Sequence, residues 1–279
     1  MKPYQIGAVT WSLQIPDLGE NLKVIKNELG LRLVQVGFMG ANDLADPDKI
    51  ISSVKGSGLK VSATCVGFGE LGEDYTTIET IARSGGYMPD ETWKQRYAKT
   101  VAVANINQEL GVEFLATHVG FVPHDHSHPQ YAVMVDRLKR ICDALGERGL
   151  TLLMETGQEQ ANALSAFIVA VGLPNIRVNF DPANMVLYGV GEPVEAVDIL
   201  KDKIVHVHMK DGKWADKPGI DWGQDVVLGT GDANIPGVVD KLREIGYAGP
   251  LVIEREAGNE RFADIQKAIS LLESLGAIR

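Results

Sequence analysis

Four hydrophobic runs in the second half of the chain end, one after another, in a side chain of metal-ligand type. They read TLLMETG at 151–157, IRVNFDPAN at 176–184, KIVHVHMKDG at 203–212 and PLVIERE at 250–256, and they deliver Glu155, Asp181, His208 and Glu254. Each run is β-rich and is followed by a segment compatible with a helix, the pattern of a repeating βα unit. A parallel barrel gathers the carboxyl ends of all its strands around one mouth. Two glutamates, one aspartate and one histidine carried there would converge on a small volume. Such a mixed oxygen and nitrogen set suits one divalent ion, Mn²⁺ or Mg²⁺ first, with Co²⁺ and Zn²⁺ also compatible. The rest of the chain must then supply the other half of a barrel.

It does. Residues 4–13, 31–39, 59–68 and 112–121 read as strands one to four, and the runs above as strands five to eight. Helices are expected from Leu18 to Leu29, after the Asp46-Pro47 cap and first-turn pair as far as the stop signals Gly56 and Gly58, and over about twenty residues from near Asp90. Others follow the HDHSHPQ segment through Leu145 and cover 160–171, 192–201, 235–245 and 260–275. No linker or composition shift breaks this rhythm, and 279 residues suit one α/β domain over 1–279, a single (β/α)8 TIM barrel, which typically takes about 250 residues. The competing open doubly wound sheet lacks a GxGxxG turn and a P-loop. The connection from Gly69 to about Pro89 exceeds ordinary loop length and reads as a lid or substrate wall.

Alternation supports the site independently, because residues i and i+2 of a strand face the same side. Asn179 goes with Asp181, Val252 with Glu254 and Ala116 with His118, while Val178 and Phe180 are left for the helix layer. In strand seven Ile204, His206 and His208 share one side, and Val205 and Val207 the other. His206 is read as an internal hydrogen-bonding residue one layer below the metal. A glutamate alone at a strand end could equally cap the next helix or form an ion pair, and FDPAN could be only an Asp-Pro cap. Consecutive staves that all deliver a ligand type favour the metal.

Composition narrows the partners. A net charge of −10 argues against binding the nucleic-acid backbone. No charge-free run approaches the roughly 18 residues needed to span a bilayer. The N-terminal MKPYQIGAVTWSL lacks the body and cleavage site of a signal peptide, which makes a cytoplasmic protein the expectation. Cys65 and Cys142, without a CxxC spacing, are expected to be reduced and packed.

The segments VNFDPAN, HVHMKDG, GTGDANIPGVVDKLREIGYAGPLVIERE and the glutamate of LLMETG carry a family resemblance. Over nearly its whole length the chain resembles the xylose-isomerase-like barrel superfamily. That group includes sugar phosphate isomerases and epimerases, ketose 3-epimerases, hydroxypyruvate isomerase and inosose dehydratase, and more distantly the type-IV AP endonucleases. The resemblance implies one divalent metal held by Glu155, Asp181, His208 and Glu254. It also implies a sugar, sugar phosphate or related polyol ketone as substrate, and enediolate chemistry with Glu155 and Glu254 as the acid–base pair. The activity expected is that of a metal-dependent isomerase or epimerase, ketose 3-epimerase-like. The alternatives are an inosose dehydratase-like lyase, a hydroxypyruvate isomerase-like enzyme, and a carbohydrate-binding protein on a decayed barrel. A homo-oligomer is compatible with each.

Asn184 departs from the family, where many relatives place histidine; its amide can still serve a substrate hydroxyl. DGKWADKPG offers no Asp-x-His pair of the endonuclease kind, which weakens a DNA-processing reading. His118 is read as a donor to a substrate hydroxyl, or as a core hydrogen-bonding residue. Lys210 and Arg255 are read as anion partners or as strand-to-helix ion pairs, with alternation aiming Lys210 inward and Arg255 outward. Trp11, Phe68, Trp214 and Trp222 are read as an apolar wall against the sugar carbons, or as packing. LGTGD at 228–232 is a modest phosphate-turn candidate, and the loop histidines His124, His126 and His128 a weak second metal candidate.

Overall fold

Eight of the aliphatic runs pair edge to edge in a computed structural model of the chain, which describes residues 2–279. The staves are β1 Ile6–Val9, β2 Leu33–Phe38, β3 Lys60–Val66, β4 Phe114–Thr117, β5 Thr151–Glu155, β6 Ile176–Phe180, β7 Ile204–Met209 and β10 Leu251–Ile253. All neighbours are parallel, and the order β1-β10-β7-β6-β5-β4-β3-β2 closes on itself, a single (β/α)8 TIM barrel. Between β7 and β10 a small antiparallel hairpin, β8 Asp211–Lys213 with β9 Gln224–Val226, stands on the mouth.

Several staves are shorter than the apolar runs that contain them. Residues 4–13 yield only β1, because Thr10–Leu13 tighten into a 3₁₀ turn, and 112–121 yield only β4. The ladder occupies the central residues of each run, and the remainder turns over the mouth.

The surrounding helices begin where local chemistry starts them. Asp46 accepts the Lys49 amide at 2.9 Å ahead of α2 Pro47–Ser57, with α1 Leu18–Lys23 before it. The long connection is not a bare loop, since it contains α3 Ile78–Ser84 behind a Thr77–Thr80 capping box. Then come α4 Trp93–Leu110, α5 Pro129–Gly146 and α6 Ala161–Val171. An unexpected helix, α7 Pro182–Tyr188, follows β6 directly and precedes α8 Pro193–Leu200, α9 Ile235–Glu244 and α10 Arg261–Ser274.

The barrel interior holds small apolar groups, Ala63, Cys65, Ala116 and Leu153 beside Val9, Leu33 and Val252, while the larger core lies between barrel and helices. Val178, Phe180, Leu251 and Ile253 face the helices, as alternation requires. Strand seven departs from simple alternation. A register shift sets Ile204 against Val178 but His206 against Asn179, so Ile204 joins the helix-side core and Val205 packs on the interior cluster. This reverses the expected facing of Ile204 and Val205, because the bulge absorbs one residue. His206 and His208, beyond it, are fully buried. Cys65 and Cys142 are free and buried. Among the described residues no helix is long and apolar enough to cross a membrane.

Candidate metal centre and active site

Glu155, Asp181, His208 and Glu254 meet at the mouth, each offering one ligand atom, and these atoms all lie within 4.8 Å of one another. His208 Nδ1 stands 2.8 Å from Glu155 Oε1, 3.3 Å from Glu254 Oε2 and 3.8 Å from Asp181 Oδ2. Glu155 and His208 lie on the backbone of β5 and β7, and Glu254 sits one residue past β10. Asp181 sits one residue past β6, where it serves two purposes: Oδ1 accepts the Asn184 amide at 3.0 Å and starts α7, while Oδ2 is buried without a partner. The cap and ligand readings of FDPAN are thus compatible on one carboxylate.

The surroundings fit a cation. Asp181 Oδ2 is buried without a hydrogen-bond donor, a costly state unless a positive centre faces it, whereas Glu254 Oε2 has Lys210 Nζ at 3.3 Å. Burial pulls the His208 imidazole down, but the Glu254 and Glu155 carboxylates outweigh it and hold the ring well above its ordinary range. Burial pushes Asp181 up, and repulsion from Glu254 and Glu155 adds to this against the pull of Lys210. Burial acts the same way on Glu254, but Lys210 and His208 overcome it and keep that group ionised. A carboxylate-rich cluster that draws in protons from several sides is short of positive charge, and the hard oxygen donors with one imidazole match the ions expected from sequence.

Supporting groups fix the ligands. Gln35 Oε1 lies 2.7 Å from His208 Nε2, which leaves Nδ1 facing the cluster. Trp11 Nε1 donates to Glu254 Oε1 at 2.7 Å. His206 binds Asn179 Oδ1 at 2.8 Å and Ser62 Oγ at 3.0 Å one layer below, as expected for an internal residue, and burial holds it neutral. We expect His208→Ala to weaken Mn²⁺ binding by more than the roughly 10–100-fold that loss of an outer partner costs, and His206→Ala by less. Equal losses in a calorimetric titration would contradict this assignment.

A cavity of about 490 Å³ opens over the cluster. Of the sequence candidates it is lined by Trp11, Phe68, His118, Glu155, Asn184, Lys210, Trp222 and Glu254. Trp214 is not among the lining residues: its side chain packs half-buried on the main core and its amide donates to Asp232 at 3.0 Å. The Asn184 carbonyl accepts from Lys210 Nζ at 3.3 Å, so its amide nitrogen remains available to a ligand. Lys210 also faces Glu254 Oε2 at 3.3 Å and pairs with Glu256. Arg255 points away and joins Asp225 and Asp264, the ion-pair reading.

Sequence reasoning missed Glu73, Tyr75, Tyr188 and Glu256, all in the cavity wall. Glu256 carried a signal, since it stands two residues beyond Glu254 and alternation sends both the same way. Tyr188 lies on the unexpected α7, and Glu73 in the long connection, where no periodicity points to a facing. That connection forms part of the cavity wall. Glu73 accepts the Phe68 amide at 2.9 Å and the Gly86 amide at 2.7 Å, and Arg96 reaches back from α4 to its carbonyls.

His118 is buried, with Nδ1 unpartnered and Nε2 3.4 Å from the Tyr188 hydroxyl. Burial, then the charge of Arg96, lowers it from 6.5 to about 3, so the ring is neutral at pH 7. The unfolded chain therefore binds the extra proton between those values, and stability falls as pH drops from 6.5 toward 3. His118→Gln should flatten the acid limb by up to ~1.4 kcal/mol per pH unit in urea titrations. An unchanged slope would contradict the buried neutral ring.

Two of the three loop histidines are engaged elsewhere. His128 caps α5 through Gln130, and His126 stacks on Tyr131 at 4.5 Å. Among the described residues, the only cluster with metal-ligand geometry is the quartet.

Comparison with known proteins agrees with this architecture. The chain is 35% identical to a xylose isomerase domain protein from Planctomyces limnophilus, whose crystal structure covers 98% of each chain with a TM-score of 0.89. An L-ribulose 3-epimerase structure shares the fold at 19% identity, covering 98% of this chain and 95% of that one with a TM-score of 0.71. A xylose isomerase-like TIM barrel protein from Mycobacterium smegmatis, solved with magnesium, shares it at 14% identity over 99% of both chains, TM-score 0.72. An uncharacterized protein from Methanocaldococcus jannaschii is 24% identical over 178 residues, 59% of this chain but only 57% of that protein's length. The family described as xylose isomerase-like TIM barrel matches residues 26–275, which takes in seven of the eight staves and all four ligand positions: the chain belongs to that family.

Proposed function

We propose that this protein is a divalent-metal-dependent isomerase or epimerase of a sugar or polyol ketone, most like the ketose 3-epimerases, working through an enediolate. The observation that carries the reading is the pair Glu155 and Glu254. They end staves separated by β6 and β7, so they face the cavity from different parts of its wall, with the ligand cluster between them.

Glu155, Asp181, His208 and Glu254 would hold the ion. When bound, it would supply positive charge where negative charge develops on adjacent substrate oxygens. The chain's own groups do the rest. Glu254 is kept ionised by Lys210 and His208 and oriented by Trp11, which makes it a proton acceptor of fixed direction. Glu155, on the other side of the cluster, is positioned to return a proton to the carbon. The Asn184 amide and neutral His118, both in the cavity lining, would bind substrate hydroxyls, while Phe68, Trp222 and Trp11 would present apolar surface to the carbon chain.

One feature favours a second reading, a dehydratase. The Tyr188 hydroxyl lines the cavity 3.4 Å from His118 Nε2, a pair that could assist departure of a β-hydroxyl. A screen of ketoses, polyol ketones and their phosphates in D₂O with Mn²⁺-saturated protein tests both. Deuterium entering a carbon next to the carbonyl is the expected result, and a product lighter by one water identifies the dehydratase. No exchange with any compound would end the enediolate reading.

A further inference from the structure

The turn after β9 contains the glycines of a phosphate-binding loop, but its amides are already occupied. Asp211, buried at the base of the β8–β9 hairpin, accepts the Gly229 and Gly231 amides on Oδ2, both at 2.9 Å. Its Oδ1 accepts Gly212 N at 2.9 Å and Ala233 N at 3.2 Å. Converging backbone N–H groups of this kind make an anion nest, and in many barrels the loops following strands seven and eight hold a substrate phosphate. Here the anion is the protein's own carboxylate. A Cβ at position 231 would stand 2.3 Å from Asp211 Oδ1, so glycine at that position is required by the carboxylate. Neither Gly229 nor Gly231 lines the cavity.

The cavity itself offers little to a phosphate. Among the described lining residues Lys210 is the sole lysine or arginine, and its ammonium already faces Glu254 and Glu256. His118, the one histidine in the lining, is neutral. Glu73, Glu155, Glu254 and Glu256 supply acidic groups around the same space. A dianionic ester entering there would meet carboxylates and no free cationic side chain, and like charges brought together across an interface are strongly unfavourable.

We infer that the cavity takes a neutral, unphosphorylated ketose or polyol ketone, because Asp211 fills the anion nest and Lys210, the one lysine or arginine among the described lining residues, is already paired. This rests on the enediolate reading above and names its substrate class.

The test compares fructose, tagatose, psicose and ribulose with their terminal phosphate esters on Mn²⁺-saturated wild-type protein, reading exchange in D₂O. For at least one ketose, kcat/KM should exceed that of its ester by at least about 10²-fold. Exchange with an ester at an equal or greater rate overturns the inference. If nothing exchanges, the enediolate reading falls, and the charge argument is decided separately on metal-free protein by ¹H–¹⁵N spectra. Millimolar inorganic phosphate should leave the Gly229 and Gly231 amides and the cavity amides unmoved; saturable shifts there overturn it. A further arm uses Asp211→Ala, which should be stabilised against heat by phosphate relative to chloride at equal ionic strength, whereas wild type is not. Equal stabilisation of wild type overturns the inference, and if the variant does not fold, the wild-type spectra decide.

Discussion

Glu155→Gln and Glu254→Gln should each lower turnover by about 10²-fold or more at saturating metal, the usual worth of a positioned acid or base. Either substitution preserves side-chain volume but removes a proton acceptor and one charged ligand of the cluster. Because glutamine also weakens the metal, each variant must first be titrated with Mn²⁺ to saturation. The two variants should then differ in solvent exchange. With a given epimer, the variant lacking the returning group still exchanges deuterium at the reacting carbon, and the variant lacking the abstracting group does not. Supplying the other epimer should reverse the pattern. Full turnover in either saturated variant would remove that glutamate from the mechanism. Exchange suppressed in only one variant, whichever epimer is supplied, would favour a one-base isomerase or a dehydratase.

Arg96→Ala is expected to be among the most destabilising single changes outside the ligand set. The guanidinium is 1% exposed, donates to Ser84 O at 2.7 Å and Leu71 O at 2.9 Å, also bonds Gly86 O, and lies over the Phe68 ring at 5.2 Å. It thereby ties α4 to both ends of the segment carrying Glu73, Tyr75 and α3. Truncation leaves three inward carbonyls without this donor, removes a countercharge near buried Glu73 and empties a large volume. Breaking a buried charged network of this kind costs roughly 3–5 kcal/mol, which for a chain of this size lowers Tm by roughly 10 °C. Arg96→Lys keeps the charge but loses the planar fork and should fall between. Since Phe68 and Glu73 line the cavity, KM should rise in both variants while the metal affinity stays near wild type. A Tm within about 2 °C of wild type would show that the wall is held by other contacts.

The barrel, the order of its staves and the convergence of Glu155, Asp181, His208 and Glu254 were legible in the sequence because each rests on a local, repeated signal. Hydrophobic runs at regular spacing specify parallel staves, and a polar residue at the end of each run must lie at the mouth once the staves close. Alternation correctly separated Val178 and Phe180 from Asn179, and put Val252 on the inner side with Glu254. The same logic failed at Ile204 and Val205, since a bulge is a property of the pairing between two strands and leaves no mark in either one alone. The helix at Pro182–Tyr188 escaped notice because Asp181-Pro182 reads equally as a turn, and only the packed structure shows one carboxylate both starting a helix and facing the ligand cluster. Glu73 was out of reach for a different reason: its place in the wall depends on the Phe68 and Gly86 amides it gathers and on Arg96 from another element. Trp214 shows the converse, an aromatic in the expected loop whose side chain the hairpin carries away from the cavity. The residues themselves also could not say whether LGTGD was an empty nest or a filled one. Gly229, Gly231 and Asp211 are separated by about twenty residues of chain, and only the fold brings the carboxylate to the amides.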